Sequence, residues 1–346
     1  MSALSRGFET DRDVYRPLKK ECTLRELAQR KLHHGRSRFI NPWHIPGSRS
    51  LFDVITWKLF SRNHFKQFYK DEPLSPVTIN WKPVHEHPGL SVTFVTHATL
   101  LIKDSGTSIL IDPVLSGLFW PYQDFTPLRF DVSDMPSPDY VLITHGHYDH
   151  LDADSLEHFK DTSRFVAPLG YRDILAESGI HNLKELDWFD SVADGSREIV
   201  LLPSNHWTMR NPAIGPNTGL WGSYLIKTSS GPVIYVSGDT GLFDRFDEIG
   251  REYDIDLAVF NLGAYEPRWF MKHSHMNPAE TVRAFKDLRA KKLMVVHWGT
   301  FRLGDDPVHF PPEEIRKEME KSGLSDRLVD IRHGQTLYFD GKVNPH

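Results

Sequence analysis

The stretch Thr144-His145-Gly146-His147-Tyr148-Asp149-His150-Leu151-Asp152 places three histidines and an aspartate within six residues. It directly follows the apolar run Tyr140–Ile143, which is typical of a buried strand. In a turn that leaves a strand, His145 and His147 can converge on one cation, while Asp149 and His150 turn toward a second. Imidazole nitrogens and carboxylate oxygens suit zinc, and the same ligands also suit iron or manganese. The stretch therefore predicts a metal site at the end of a strand.

Three more candidate ligands each follow a predicted strand. They are His206 after the run EIVLLPSN, Asp239 after PVIYVSG and His297 after KLMVV. A single histidine after a strand is more often a structural residue, but the combined set of five histidines and two aspartates is enough for two metals with open positions. Asp112, which follows the run Ile109–Ile111, is interpreted as a carboxylate that orients a ligand imidazole; the alternative is a simple Asp-Pro turn.

From residue 90 onward the chain alternates short apolar or β-branched runs with polar or glycine clusters, a pattern that predicts strands ending in functional loops. Helices are predicted between them at Ser155–Phe159, Tyr171–Ser178 and Pro278–Arg289, the last after the start signal Asn277-Pro278. Two sheet-forming halves with interspersed helices predict a layered α/β sandwich. The predicted strands are SVTFVTH, TLLIKD, TSILIDP, DYVLITH, EIVLLPSNH, SYLIKTS, PVIYVSGD, LAVFNLG and KLMVVHWG.

The composition of the 346 residues is that of an ordinary globular protein, with 39% hydrophobic and 25% charged residues. No apolar run approaches the roughly 20 residues that a membrane-spanning helix needs, so we do not expect a transmembrane protein. Its one cysteine, Cys22, cannot form an internal disulfide, and the N-terminal residues lack the apolar stretch of a secretory signal. We therefore expect an intracellular protein, either cytoplasmic or peripheral on a membrane surface.

The net charge of -5 is unevenly distributed, because residues 1–70 hold 15 Lys and Arg against 6 Asp and Glu, while the remainder holds 26 against 40. The acidic main body argues against nucleic-acid binding. We interpret residues 1–38 as a polar arm with a helix around Thr23–Leu32, and residues 39–89 as an aromatic and basic segment that packs on the catalytic body or faces a membrane. Residues 90–346 would form the catalytic domain. The apolar residues behind the membrane interpretation are Leu51, Phe52, Ile55, Trp57, Leu59 and Phe60.

The pattern His-x-His-x-Asp-His, followed downstream by His, Asp and His, resembles the metallo-β-lactamase superfamily, and this implies its four-layer αβ/βα sandwich. Within that superfamily the chain is similar to the N-acyl-phosphatidylethanolamine-hydrolysing phospholipase D family, from about residue 39 to about residue 310. The flanking motifs that carry the second resemblance are Phe39-Ile40-Asn41-Pro42-Trp43, His97-Ala98-Thr99, His206-Trp207, Gly238-Asp239-Thr240-Gly241, Pro267-Arg268-Trp269-Phe270-Met271-Lys272 and His297-Trp298-Gly299-Thr300-Phe301.

The resemblance implies two Zn2+ per chain, with Mn2+ or Fe as alternatives, and a homodimer. It assigns His145, His147 and His206 to one zinc, Asp149, His150 and His297 to the other, and Asp239 to a bridging position. It also assigns a catalytic role to His275, as an acid or transition-state donor beside the metals. The chain departs from animal members at Gly146, where they commonly have asparagine, and at His273-Ser274; both departures bear on substrate detail rather than on metal binding.

A site with two ions roughly 3.5–4 Å apart can hold a bridging hydroxide at neutral pH, which supplies a nucleophile without a serine or cysteine. Attack on the phosphate of a phospholipid would release phosphatidic acid and an alcohol, and the resemblance implies that the alcohol is an N-acylethanolamine. A lipid substrate needs apolar walls near the metals. The candidates are Phe119, Trp120, Tyr122, Trp207, Tyr265, Trp269, Phe270 and Met271.

Three other functions are compatible with parts of the sequence. The first is a metal-dependent hydrolase of another small ester, lactone or phosphodiester on the same scaffold, because sites rather than folds define function. The second is an iron-containing redox protein, which a metal assay would separate. The third is a non-catalytic lipid-binding protein with a structural metal, but seven mixed ligands for two ions leave room for water, and this favours an enzyme.

Overall fold

The computed structural model describes residues 22–43, 56–340 and 343–344. The first 21 residues of the predicted arm lie outside the described residues, as do Leu51, Phe52 and Ile55 of the aromatic and basic segment. Within the described ranges, no helix combines the length and the apolar character that crossing a bilayer requires.

Two mixed sheets form the centre of the fold. The first has eight strands in the order β15-β14-β1-β2-β3-β4-β5-β6, with bounds β1 Ser91–Thr96, β2 Thr99–Asp104, β3 Thr107–Ile111, β4 Tyr140–Leu142, β5 Arg164–Pro168, β6 Leu183–Leu186, β14 Thr336–Tyr338 and β15 Val343–Asn344. The second has seven strands in the order β13-β12-β11-β10-β9-β8-β7, with bounds β7 Ser191–Asp194, β8 Arg197–Leu202, β9 Ser223–Lys227, β10 Val233–Val236, β11 Leu257–Asn261, β12 Lys292–Val296 and β13 Leu328–Val329.

Helices flank the sheets. Their bounds are α1 Leu24–Gln29, α2 Trp81–Glu86, α3 Ala153–Glu157, α4 Arg172–Glu177, α5 Phe246–Glu252, α6 Arg268–Met271, α7 Pro278–Asp287 and α8 Phe310–Lys321. Shorter turns of other helix types lie at Thr56–Phe60, Lys66–Asp71, Val132–Asp134 and Ser325–Arg327.

The layers follow from the way side chains alternate along the strands of the first sheet. In β3, Ile109 and Ile111 join a large apolar cluster that also contains the second sheet, whereas Leu110 joins a separate cluster with residues of α2, α3 and α4. The helices α5, α7 and α8 pack into the large cluster beside the second sheet. Because both faces of each sheet are covered, the central strands are continuous apolar runs rather than alternating ones. The result is the predicted α/β sandwich.

Every predicted strand overlaps a strand of the structure, and the four predicted helices correspond to α1, α3, α4 and α7. The unpredicted strands are mostly edge strands, since β6, β7, β13 and β15 end their sheets. Edge strands bury less of their surface and lack an apolar run; β7, for example, has the sequence SVAD with three exposed positions. The sequence therefore revealed the buried centre of each sheet better than its rim.

The described part of the N-terminal region packs against the sandwich. Helix α1 begins with a capping box formed by Thr23 and Glu26, and it buries Leu24 and Leu27 in the large apolar cluster. Farther along, the ring centroid of Trp57 lies 5.0 Å from that of Phe270. This part of the chain is a structural element of the body.

Candidate metal centre

The topology brings the candidate ligands to one edge of the sandwich. In the first sheet, β1, β3 and β4 run in the same direction, and His97, Asp112 and the stretch from His145 to His150 follow their carboxyl ends. In the second sheet, β8, β10 and β12 also share one direction, and His206, Asp239 and His297 follow them. Loops at the carboxyl ends of such strands are common positions for functional residues.

The first group of candidate ligands comprises His145, His147, His206 and Asp239. Nδ1 of His147 lies 2.9 Å from Nε2 of His145 and 3.3 Å from Nε2 of His206. Zinc–nitrogen distances of about 2.0–2.1 Å place two ligands of a tetrahedral ion roughly 3.3 Å apart. The three ring nitrogens therefore converge at the spacing that a single metal ion requires.

The second group comprises His97, Asp149, His150 and His297. Oδ2 of Asp149 lies 3.5 Å from Nε2 of His150 and 3.3 Å from Nε2 of His297. The same oxygen is 3.1 Å from Nε2 of His97. His97 was not among the ligands predicted from the sequence.

Asp239 lies between the two groups. Its Oδ2 is 3.8 Å from Nε2 of both His145 and His206, and 3.4 Å from Nε2 of His150. Its Oδ1 is 3.4 Å from Nε2 of His297 and accepts a hydrogen bond from the amide of Asn261 at 2.9 Å. A carboxylate in this position reaches donor atoms of both groups.

The buried donor atoms fit metal ions. Nε2 of His150 and Nε2 of His297 are buried and lack a hydrogen-bond partner among the residues the structure describes. An unpaired buried polar atom is costly, so each calls for an explanation. On the far side of the rings, Nδ1 of His150 lies 2.7 Å from Asp112 Oδ2, and Nδ1 of His206 lies 3.1 Å from the carbonyl oxygen of Ser274. Metal-binding histidines characteristically donate their other N–H in this way.

A third histidine and aspartate cluster, His33, His34 and Asp187, provides a contrast. Nε2 of His33 lies 2.5 Å from Asp187 Oδ1, Nε2 of His34 lies 2.8 Å from Oδ2, and the Lys31 ammonium lies 2.6 Å from Oδ2. These are hydrogen-bond distances, and a cation already neutralises the carboxylate. This cluster is a hydrogen-bonded ion network with its own cation, Lys31, whereas the ion-pair partners found for Asp149 and Asp239 are histidines.

Burial favours the neutral form of two histidines at this edge. It lowers the pKa of His147 to about 4 and the pKa of His97 to about 3. Burial alone would raise the pKa of Asp149, but the neighbouring imidazoles outweigh it and hold that pKa well below its usual range. Burial alone would lower the pKa of His150, but the carboxylates of Asp239, Asp149 and Asp112 outweigh it and raise that pKa well above its usual value. Neutral imidazoles and ionised carboxylates are the ligand forms that bind metals, so metal binding at His150 would displace a proton.

The backbone at this edge adopts conformations that non-glycine residues rarely take. His97, Asp112 and His297 have φ values of 43°, 44° and 70°. Residues held in such conformations cost of order 1–3 kcal/mol each and cluster at functional sites. The local strain is consistent with side chains held in fixed positions for binding or catalysis.

The remaining predicted site residues lie at different distances from this centre. His275 Nδ1 is 3.8 Å from Asp239 Oδ2, and the ring centroid of Trp207 is 4.8 Å from that of His147. Phe270 and Met271 are buried in a small apolar cluster with Trp57. Tyr265 is buried and donates a hydrogen bond to Glu314 at 2.6 Å, whereas Trp269 is about half exposed.

Phe119, Trp120, Tyr122 and Tyr148 form an exposed aromatic patch beside the metal centre. The ring of Phe119 lies 5.6 Å from that of Tyr122 and 5.4 Å from that of Tyr148. Tyr148 stands between the candidate ligands His147 and Asp149 in the chain. Burial and, to a lesser extent, the charge of Asp149 raise the pKa of Tyr122, which places this ring near the second group.

Two residues that take part in the metal centre were not given a role there by the sequence analysis of ligands. His97 ends the run SVTFVTH, so the rule that found His206 and His297 also applied to it. Asn41 donates from its amide to Asn205 Oδ1 at 3.0 Å and to the carbonyl oxygen of His206 at 2.8 Å. No local pattern predicts that contact, because it joins residues 165 positions apart.

Comparisons with known proteins agree with this fold. A family model described as a beta-lactamase superfamily domain matches residues 107–298. The solved structure of Igni18, a metallo hydrolase from Ignicoccus hospitalis, superposes with a TM-score of 0.57 at 22% identity and covers 73% of this chain and 99% of its own. The family match shows that the chain belongs to the beta-lactamase superfamily, and the superposition shows that it shares the fold of this metallo hydrolase.

Two relatives identify the family within this superfamily. N-acyl-phosphatidylethanolamine-hydrolyzing phospholipase D 1 of Caenorhabditis elegans is 30% identical over 84% of this chain and 86% of its own length. The mitochondrial enzyme of that name from Saccharomyces cerevisiae is 33% identical over 68% of this chain, but the match spans only 53% of the yeast protein. The chain belongs to the metallo-β-lactamase superfamily and, within it, to the N-acyl-phosphatidylethanolamine-hydrolysing phospholipase D family.

Proposed function

We propose that the protein is a zinc-dependent phosphodiester hydrolase that cleaves N-acyl-phosphatidylethanolamine to phosphatidic acid and an N-acylethanolamine. The observation that carries the proposal is the pair of buried ligand groups that share Asp239 and open beside exposed aromatic rings. The names of the worm and yeast relatives support the same substrate. The proposal places one zinc ion in each group.

Two bound divalent ions would lower the pKa of a water molecule between them and offset the negative charge that develops on a phosphate under attack. The chain's own residues fix the geometry. Asp239 reaches both groups, and the buried Asp112 and the Ser274 carbonyl orient the rings of His150 and His206. The nucleophile would form its bond to phosphorus as the bond to the head-group oxygen breaks.

His275 is the proposed proton donor to the leaving group. Its ring centroid lies 5.4 Å from that of His206 and 5.9 Å from that of His297, and its side chain is 15% exposed, in contrast to the 2% of Asp239. The guanidinium of Arg268 donates to the His275 carbonyl oxygen at 3.0 Å and pairs with Glu280, which fixes this loop. In the proposed reaction His275 donates a proton to the departing alkoxide oxygen of the N-acylethanolamine.

The exposed aromatic patch is proposed to contact the lipid surface. Trp120 is 90% exposed and Phe119 is 56% exposed, and they lie on the loop that flanks the second group. Aromatic rings insert at the boundary between head groups and acyl chains, so docking here would present a head group to the metal centre. This would give the protein a peripheral membrane contact.

The proposal is tested by incubating zinc-loaded protein with N-acyl-phosphatidylethanolamine in vesicles and identifying the products by mass spectrometry. We expect phosphatidic acid and N-acylethanolamine, and at least a 100-fold lower rate for Asp149→Asn. A panel of lactones and small soluble phosphodiesters is assayed in parallel. Turnover of that panel without turnover of the phospholipid would contradict the lipid assignment and leave the hydrolase class in place.

The docking arm of the test uses the double variant Phe119→Ser, Trp120→Ser. We expect binding to anionic vesicles and turnover in vesicles to fall about 10-fold or more, since two interfacial aromatic side chains are removed. Hydrolysis of a short-chain substrate dissolved as monomers is the control and is expected to stay within about twofold of the wild type. Equal losses on both substrates would argue against a docking role.

A further inference from the structure

We infer that His97 is a positioning residue of the metal centre, which holds the Asp149 carboxylate toward the metal by donating a hydrogen bond from Nε2 to Oδ2. The inference rests on the proposed two-metal site but not on the proposed lipid substrate. The two atoms are 3.1 Å apart, and the side chain of His97 is completely buried.

The direction of the hydrogen bond follows from chemistry. An ionised carboxylate has no proton to give, so the ring nitrogen that faces it must carry the hydrogen. Nδ1 of His97 is buried without a partner in the part of the chain that the structure describes. A neutral ring with its hydrogen on Nε2 leaves only a lone pair unpaired there, which costs less than an unpaired N–H group.

The backbone holds the ring in place at a cost. His97 has a φ of 43°, in the left-handed region that β-carbon sterics disfavour. Its N–H donates to Thr300 Oγ1 at 3.0 Å, and its carbonyl oxygen accepts from the His297 N–H at 2.7 Å. These two hydrogen bonds hold His97 against the loop that carries His297, which is another candidate ligand. They compensate for the backbone strain and fix the positions of both histidines.

The packing around the ring permits little movement. Its centroid lies 4.1 Å from that of His297 and 4.9 Å from that of Phe301. Asp149 is 15% exposed, so its carboxylate borders the open side of the centre while His97 lies on the protein side. Without the hydrogen bond from His97 Nε2, the Asp149 carboxylate could rotate. The lone pair of Oδ2 would then no longer point to the metal position of the second group.

The test compares zinc binding by the wild type, His97→Phe and His97→Gln, using metal-free protein titrated against a competing chelator. Phenylalanine preserves the ring stacking and removes the donor, whereas the glutamine amide can donate to the same oxygen. We expect two ions for each protein, with the ion of the second group bound about 10- to 100-fold less tightly by His97→Phe and most of that loss restored in His97→Gln. When Co2+ replaces zinc, the visible absorption of only one of the two bound ions should change. The size of that change should rank the three proteins in the same order as the zinc affinity.

His33→Phe is the matched control, because it also removes a fully buried histidine that stacks on an aromatic ring, at 4.2 Å from Trp188. It should bind both ions like the wild type, whatever its effect on thermal stability.

Wild-type affinity in His97→Phe would overturn the inference. Equal losses in His97→Phe and His97→Gln would also overturn it, since His97 would then be a ligand. If the wild type bound fewer than two ions, the two-metal proposal itself would fail, whereas absence of phospholipid turnover would affect only the substrate.

Discussion

At the scale of single residues, Asp112 shows how one carboxylate can organise the metal centre without touching a metal. Its Oδ2 lies 2.7 Å from Nδ1 of His150, and its Oδ1 accepts from the Thr144 N–H at 2.7 Å. Asp112 therefore joins the start of the His145–His150 loop to one of that loop's candidate ligands. The buried position leaves no water to replace either bond.

We predict that Asp112→Asn weakens zinc binding about 10- to 100-fold, because an amide cannot accept from both donors with the same geometry. The measurement is chelator competition, followed by turnover at limiting and at saturating zinc. Activity should recover largely at saturating zinc, since Asp112 does not face the substrate. Asp139→Asn is the control, as Asp139 Oδ2 accepts a hydrogen bond from the Ser108 N–H at 2.8 Å in the adjoining part of the sheet. Unchanged zinc affinity in Asp112→Asn would contradict the orienting role.

The sequence revealed the candidate ligands because each one follows a buried apolar run, and such runs are visible without a structure. All seven predicted ligands lie in the two groups, and the structure adds His97. The contacts that orient the ligand rings could not be predicted in this way. Asn41 and the Ser274 carbonyl meet His206 through long-range packing, and no spacing in the sequence encodes that meeting.

At the scale of elements, the network around Asp187 joins the segment after α1 to the loop after β6. Burial alone would raise the pKa of Asp187, but hydrogen bonds from His33, Lys31 and the Trp188 N–H outweigh it and lower that pKa below its usual range. The same segment continues to Asn41, which contacts the His206 loop. The N-terminal region is thus tied to the body at Asp187 and again beside the metal centre.

We predict that Asp187→Asn lowers the free energy of unfolding by about 3 kcal/mol at pH 7, since it leaves buried donors and a cation without their carboxylate. In the wild type, the unfolded carboxyl binds a proton before the folded one as the pH falls. The unfolded carboxyl has a pKa of about 3.9, so the stabilisation that Asp187 contributes is fully present above about pH 5. It is lost progressively as the pH falls below that value. The difference between wild type and variant should shrink between pH 5 and pH 3.

Urea unfolding of chelator-treated protein measures this effect without a contribution from metal loss in acid. Glu252→Gln is the control, because Glu252 pairs with the half-exposed Arg25 on the same N-terminal region and should contribute less than about 1 kcal/mol. Equal effects of the two variants, or a wild-type advantage that grows as the pH falls, would contradict the account of the Asp187 network.

At the scale of the whole molecule, two sheets bring their parallel strand ends to one edge and so assemble a site from residues between His97 and His297. A layered α/β sandwich could be predicted because the apolar runs show which strands are buried, whereas the four-layer order was implied by the family resemblance. The edge strands and the exact partners across the sheets could not, since they depend on packing between distant segments. The predicted homodimer is a separate expectation that sedimentation of the metal-loaded protein would check.

The central claim is that water, activated at this edge of the sandwich, attacks the phosphorus of a phospholipid. The most direct measurement is turnover of N-acyl-phosphatidylethanolamine by zinc-loaded protein in 18O-labelled water, with mass spectrometry of both products. We predict one 18O atom in the phosphatidic acid and none in the N-acylethanolamine, with no labelled product from Asp149→Asn. Label in the N-acylethanolamine, or no phospholipid turnover by protein that holds two zinc ions, would contradict the account.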